Sequence, residues 1–389
     1  MTDAKTPAPV FFLVAGEQSG DALGAGLIEA LRVYYPQARF QGVTGPLMRA
    51  ADCESLADVD ELSLFGVSEV IGEIPRVLRL RKRLYRHLVS APPAVFIGID
   101  APAFNTGLER RLKAAGIATV HYVCPTVWAW RQGRLRSIRK AVDRLLAIFP
   151  FEAAFFSEHG VPTTFVGHRL ADETPLHPEP SSARRALGLP GDGLLVGLLP
   201  GSRKSEVSRL GPQFIGTALW LAERLPGVRF VAPMATPGVR ECFEAELAAR
   251  GGGLDVQLVD GRSREVMRAA DVLLLASGTA TLEALLAKTP MVVSYMLSQS
   301  NYWLARSLNL IKVEHVSMPN LLAGRPLVPE FLQQDAQPEI MGAWLYRLLT
   351  SPAARAVQVD AFDTIHRQLA RDADRSAAAA VVELLDRTP

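Results

Sequence analysis

Residues 273–287 read LLLASGTATLEALLA: an aliphatic run halts at Ser-Gly-Thr-Ala-Thr, and a second apolar run then opens with one carboxylate, Glu283. The first run is short, as a fully buried strand is, and the second carries its apolar residues at helical spacing. Strand, small-residue loop and helix form the repeating unit of a parallel α/β sheet, and the same order recurs along the chain. VFFLVA runs into GEQSGD, AVFIGI into DAPAFN, TVHYV into CPTVWAW and LLVGLLP into GSRKSEV, while RFVAPMA and MVVSY supply further β-rich runs. The predicted fold class is α/β, with doubly wound parallel sheets.

The 389 residues exceed what one core usually supports, and at about 150 residues per domain two domains are expected. The proline-rich, polar stretch 171–192, ADETPLHPEPSSARRALGLPGD, is the expected linker, with domains over 1–170 and 193–355. Residues 356–389 read as a helical tail, and periodicity leaves open whether it packs on the first domain. With 49% hydrophobic and 21% charged residues the composition is that of an ordinary globular protein and excludes a disordered chain. A formal net charge of +2 is too mild to argue for nucleic acid, so none is expected as a partner. Cys53, Cys124 and Cys242 are odd in number and widely spaced, which fits a reducing cytoplasm and neither a disulfide framework nor a zinc site. No uninterrupted apolar run reaches about 18 residues, so neither a signal peptide nor a membrane span is expected.

Small hydroxyl residues before a helix can simply cap it. Capping does not place Glu283, which follows Thr279 by four residues and Ser277 by six, whereas a capping-box acid stands three after the cap. The four-residue spacing sets Glu283 on the helix face of Thr279, above the C-terminal end of a strand, where open α/β sheets bind ligands. Ser277, Gly278 and Thr279 then offer N–H donors to a phosphate, and a carboxylate one turn on can accept both hydroxyls of a ribose. The pattern points to a nucleoside diphosphate. LLPGSRKSEV makes a matching offer: Gly201 permits close backbone approach, Ser202 can cap, and Arg203 presents a planar donor fork, although a surface arginine after a turn reads the same way.

G-x-x-x-x-G-K-[ST] is absent, and AGEQSGD fails G-x-G-x-x-G, which argues against ATP hydrolysis and against a dinucleotide oxidoreductase. Glu17, Ser19 and Asp21 of that loop stand where a ligand can come close to backbone, and equally where a tight turn would need them. Asp100 follows a strand, with Pro102 expected to keep the chain from running on as regular helix; it reads as a turn residue or as a general base. No second acid or histidine cluster stands beside it to hold a divalent ion, so metal-independent chemistry with no cofactor is expected.

Val67, Val70, Ile71, Ile74 and Leu78 recur at helical spacing among Arg76, Arg79, Arg81, Lys82, Arg83 and Arg86. This describes a core helix with a wet basic face, or a helix resting among the headgroups of an anionic leaflet. Pro75 would break or start a helix there. Trp128 and Trp130 beside Arg131, Arg134, Arg136, Arg139 and Lys140 likewise suit an interface or a buried aromatic pair.

Taken together, VAGEQSGDALGAGLI, FIGIDAPAFN, HYVCPTVWAWRQGR, PFE, FVGH, LLPGSRKSEV, LLASGTATLEALL, PMVVSY and MPNLLAGRPLVPEFLQ resemble, in order and over almost the whole chain, the lipid-A-disaccharide synthase family. The resemblance implies a GT-B glycosyltransferase: two Rossmann-like domains facing a cleft, the first acceptor- and membrane-facing, the second holding a UDP-sugar that is a substrate. It implies inverting transfer from UDP-2,3-diacylglucosamine to 2,3-diacylglucosamine 1-phosphate, giving a β-1′,6-linked disaccharide and UDP for lipopolysaccharide. By the same resemblance Asp100 is the base, Arg203 binds pyrophosphate, Glu283 binds ribose, and Asn320 lies near the donor. The implied location is cytoplasmic, peripherally on the anionic inner membrane, with a homo-oligomer left open. Cys124 departs from the family's serine, and Ala103 from a common acidic residue. The alternatives are a UDP-sugar 2-epimerase-like enzyme and a non-catalytic, membrane-bound sensor of UDP-sugars.

Overall fold

A computed structural model of the chain describes residues 8–63, 70–128, 132–297 and 314–387, the side chains of 63, 70–74 and 132 excepted. The chain forms two compact units, Met1–Asp172 with Leu369–Pro389, and Glu173–Gln368.

The first unit is built on β1 (Val10–Ala15), β2 (Arg39–Thr44), β3 (Cys53–Asp58), β4 (Val95–Ile99), β5 (Thr119–Tyr122), β6 (Arg144–Ala147) and β7 (Thr163–Phe165). Their order in the sheet is β3-β2-β1-β4-β5-β6-β7, all pairs parallel. The chain starts mid-sheet, winds out to β3 and returns to β4 on the other side of β1, so β1 and β4 flank the switch point where such sheets bind ligands. Both are apolar because helices cover both faces of a parallel sheet; every residue of β4 is buried. The second unit repeats the plan with β8 (Leu195–Leu199), β9 (Arg229–Met234), β10 (Val256–Asp260), β11 (Val272–Ala276), β12 (Met291–Tyr295) and β13 (Glu330–Leu332). Its order is β10-β9-β8-β11-β12-β13, again parallel, with the switch between β8 and β11.

The expected linker is not a tether. From Glu173 onward it belongs to the second unit, and Pro180 opens a helix, Pro180–Ala186. Arg184 on that helix is buried and donates to the carbonyls of Ala269 (2.9 Å), Gly191 (3.2 Å) and Gly193 (3.1 Å) and to the Asp271 carboxylate (2.9 Å). The tail divides later than residue 356: helix Pro352–Leu369 closes the second unit, and helix Ala373–Asp386 belongs to the first. There Ala377, Ala378, Ala380 and Val381 join the core of Leu27, Ile28 and Leu31, and Asp172 accepts from the N–H groups of Asp372 (3.0 Å) and Ala373 (2.7 Å). That carboxylate caps the returning helix, as an acid at a helix N-terminus does.

Helix Val70–Ser90 buries Val77, Leu80, Leu84 and Leu88, while Leu78 and Arg79 are exposed. Pro75 lies inside this helix instead of breaking or starting it. Val67 lies outside the described residues, as do the side chains of Val70, Ile71 and Ile74. Among the described residues no helix is long and apolar enough to cross a membrane. The cysteines are free.

Candidate functional site

The loops after β8 and β11 open onto a cavity of about 450 Å³ within the second unit. That volume lies in the range of about 300–1,000 Å³ typical of small-molecule sites. Gly201, Ser202, Arg203, Ser277, Gly278, Thr279 and Glu283 all line it, so the two stretches singled out in the sequence meet. Gly201 has φ 129°, a conformation that favours glycine, and a Cβ there would strike the Glu206 side chain at 2.5 Å. Ser202 is not the helix cap. Arg203 occupies that position before helix Lys204–Arg224, and Glu206 folds back to accept from the N–H groups of Ser202 (3.0 Å) and Arg203 (3.3 Å). The Arg203 side chain is 79% exposed and has a 3.6 Å ion pair with Glu206. An exposed pair is worth about 0–1 kcal/mol, so the guanidinium is available to an anion.

After β11, Ser277 is committed to the fold: its N–H donates to the Ser294 carbonyl (2.9 Å) and its hydroxyl to that of Val316 (2.7 Å). The N–H groups of Thr281 and Leu282 are taken by Gly278 and Thr279 carbonyls, whereas those of Gly278 and Thr279 have no protein acceptor among the described residues. Phosphate donors at this loop are thus narrowed to Gly278 and Thr279. Glu283, on helix Ala280–Leu286, accepts from Arg264 Nε at 3.0 Å. Arg264 and Tyr295, the latter in the cavity wall, were not anticipated: each stands far from the motif in sequence, and only the sheet order brings it near.

Asn320, which the resemblance sets near the donor, is not among the residues that line this cavity. It is buried, its Oδ1 accepts from the N–H groups of Leu327 (2.7 Å) and Val328 (2.8 Å), and its Nδ2 donates to the Val328 carbonyl (2.9 Å). The amide clasps the loop that leads to β13.

In the first unit, Asp100 follows β4 with φ 51° and Ala101 with φ 42°. Two successive non-glycine residues in the left-handed region cost about 1–2 kcal/mol each, and such strain collects at functional turns. Gly16, after β1, makes room: a Cβ there would lie 2.2 Å from Ala101 Cβ. The turn is held by Asp100 N–H donating to the Tyr122 carbonyl and by Asn105 Nδ2 donating to the Asp100 carbonyl, each at 2.8 Å. Pro102 does not prevent helix; it opens Pro102–Ala114, where the missing N–H costs nothing and the fixed φ fits. Burial, with a smaller push from Glu17, raises the Asp100 carboxyl above its ordinary range, while His121 and the Ala101 N–H oppose that rise. His121 in turn is fully enclosed and bonded to Glu109 at 2.6 Å; burial is the largest influence and works against its charge, but the charge and hydrogen bond of Glu109 together with the Asp100 charge outweigh it and raise the imidazole.

Glu17 is exposed at the start of helix Gln18–Tyr34, and the Ser19 hydroxyl donates to it. Asp21 has a structural place instead: buried, it accepts from the N–H groups of Gly45 (2.8 Å), Leu47 (2.8 Å) and Met48 (3.1 Å) and so caps helix Pro46–Ala50. Asp21→Ala leaves those donors unsatisfied, and urea unfolding should show a loss of about 2–3 kcal/mol. Glu17→Gln should act on pH dependence. Because Glu17 raises the Asp100 carboxyl, removing its charge should move the acid limb of kcat/KM to lower pH; an unmoved limb would contradict the coupling.

Trp128 turns inward, donating to Glu152 at 3.2 Å and packing edge-on to Phe151, so the interface reading fails for it. Trp130 and Arg131 lie outside the described residues. Among the described residues no group of three or more His, Cys, Asp or Glu could hold a metal ion.

The family model for lipid-A-disaccharide synthetase matches residues 11–382. This chain belongs to that family. It is 53% identical over 372 residues to the lipid-A-disaccharide synthase of Alkalilimnicola ehrlichii, covering 95% of this chain and 97% of that one. To the synthase of Hahella chejuensis it is 48% identical over 375 residues, covering 96% and 94%. The units have the GT-B arrangement of strands. The Neisseria meningitidis UDP-GlcNAc 2-epimerase bound to UDP-GlcNAc superposes with TM-score 0.63 at 13% identity over 96% of this chain and all of that one. The calicheamicin glycosyltransferase CalG4 gives 0.57 at 16% over 98% and 99%. Identity that low shows the fold alone, so the epimerase alternative is not favoured beside synthases at about half identity, and neither is a non-catalytic sensor.

Proposed function

We infer that this glycosyltransferase joins UDP-2,3-diacylglucosamine to 2,3-diacylglucosamine 1-phosphate, releasing UDP and forming the β-1′,6-linked disaccharide of lipid A. The observation that carries the reading is one cavity lined by Arg203, Gly278, Thr279 and Glu283 in a chain of this family. Uridine diphosphate would lie there, with its phosphates on Arg203 and the Gly278 and Thr279 N–H groups and its ribose on Glu283. Asp100 takes the proton of the acceptor 6-hydroxyl as that oxygen attacks the donor's anomeric carbon; the C–O bond to UDP breaks on the opposite face, inverting the centre. A raised carboxyl on a strained turn suits a base that must be ionised yet avid for a proton. Charge on the departing diphosphate is met by Arg203 and backbone dipoles, which makes metal-independent transfer part of the proposal.

Working on acylated sugars, the enzyme would meet its substrates at an anionic bilayer on the cytoplasmic face of the inner membrane, through the helix that carries Leu78 and Arg79. The test is incubation of the chain with both diacylated monosaccharides in EDTA, with mass analysis for the tetraacyl disaccharide phosphate and assay of UDP. Product from both substrates together and from neither alone is expected. UDP release without acceptor, or epimerised donor, would overturn the reading.

A further inference from the structure

A second hollow, of about 370 Å³, opens in the first unit beside the turn that carries Asp100. Helix Pro102–Ala114 gives it Pro102, Thr106 and Arg110, and the segment before and within helix Leu135–Ala141 gives Thr126, Arg134 and Ser137. Pro102 is two residues beyond Asp100, so their Cα atoms are at most about 7 Å apart. Among the described residues no carboxylate lines the hollow. Among the described residues the side chain of neither Arg110 nor Arg134 has a hydrogen bond or ion pair, whereas Arg184, Arg240 and Arg264 each meet an acid. Arg81 adds charge nearby: a Cβ on Gly107, which also lines the hollow, would lie 2.6 Å from its Nη1. Val127 and Ile138 are buried beneath, so ions here stand partly over an apolar floor, where attraction to an anion is stronger than in open water. Among the described residues, guanidinium groups without a partner on two walls, hydroxyls between them and no acid make a lining suited to phosphate, which arginine forks bind through paired N–H donors.

We propose that this hollow binds the anomeric phosphate of the acceptor sugar, with Arg110 and Arg134 as its donors. The proposal rests on the reaction assigned above and adds to it the group that selects the acceptor. Holding the sugar by its C1 phosphate leaves the 6-hydroxyl, across the ring, to reach Asp100.

The test uses the full chain, the double variant Arg110→Ala/Arg134→Ala, and two acceptors, 2,3-diacylglucosamine 1-phosphate and its dephosphorylated analogue. For the phosphorylated acceptor the variant's KM should rise about 10- to 100-fold, as loss of charge-assisted hydrogen bonds implies. The KM for the UDP-sugar should stay within about twofold, and the dephosphorylated acceptor should react equally with both proteins. An acceptor KM that stays within about twofold of wild type, or an equal loss on both acceptors, would overturn the assignment. A variant that fails to fold is bypassed with wild-type protein: glucosamine 1-phosphate should inhibit competitively against the acceptor and glucosamine should not, and equal inhibition would again overturn it. Should wild type make no disaccharide from either acceptor, the assigned reaction is at fault; calorimetric titration with glucosamine 1-phosphate then judges the hollow alone, binding to wild type and not to the folded double variant being the supporting result, and no difference between them the opposing one.

Discussion

Asp100→Asn should lower kcat for sugar transfer by about 10²- to 10⁴-fold, the usual range for loss of a general base, with the thermal midpoint nearly unchanged. The substitution isolates the proton acceptor because the turn is held by other atoms. The Asp100 N–H and carbonyl make its anchoring bonds, to Tyr122 and Asn105, and neither involves the carboxylate. Asparagine also tolerates the left-handed φ of 51° as well as aspartate does, so the strained backbone should persist. UDP affinity should be unaffected, since the cavity proposed for it belongs to the second unit. The wild-type rate should fall as pH drops through the raised Asp100 carboxyl, because protonation removes the base, and this acid limb should vanish in the variant. Most of the activity surviving in Asp100→Asn would mean that another group takes the proton.

Arg203→Ala should cost about 10²- to 10³-fold in kcat, the scale of losing one donor aimed at developing charge. Stability should barely change. The side chain is 79% exposed, and the Arg203 N–H that binds Glu206 is retained in alanine, so neither packing nor the helix start depends on the guanidinium. Arg203→Lys should recover only part of the rate, because an ammonium keeps the charge and loses the planar fork. A variant with near-normal turnover would remove Arg203 from the account.

The doubly wound plan was legible because central parallel strands, covered on both faces, are apolar throughout: β1, β4, β8 and β11 are the runs that stand out in the sequence. The outer strands were not. The β3 strand carries Glu54 and Asp58, the β10 strand ends on Asp260, and β7 and β13 are three residues long, so no apolar periodicity marks them. The loops at both switch points were readable for the same reason the strands were, since each follows a conspicuous run. Composition misled at 171–192, where prolines and charges suggested a tether although the Arg184 guanidinium is fixed by four hydrogen bonds. Nor did the sequence show the partners of Asp21 and Asn320, whose polar groups serve backbone N–H and carbonyl groups more than twenty residues and seven or eight residues away, respectively. Motif spacing names such residues without revealing what they bond to. Pro102 was misread because proline both ends helices and begins them, and only the φ of the preceding residues distinguishes the two.

The most direct measurement of the central claim is calorimetric titration of UDP into the chain in the presence of EDTA. The account predicts binding of one nucleotide per chain without metal, weakened about tenfold or more in both Arg203→Ala and Glu283→Ala and unchanged in Asp100→Asn. UDP affinity that is indifferent to Arg203 and Glu283, or that appears only when a divalent ion is added, would contradict it.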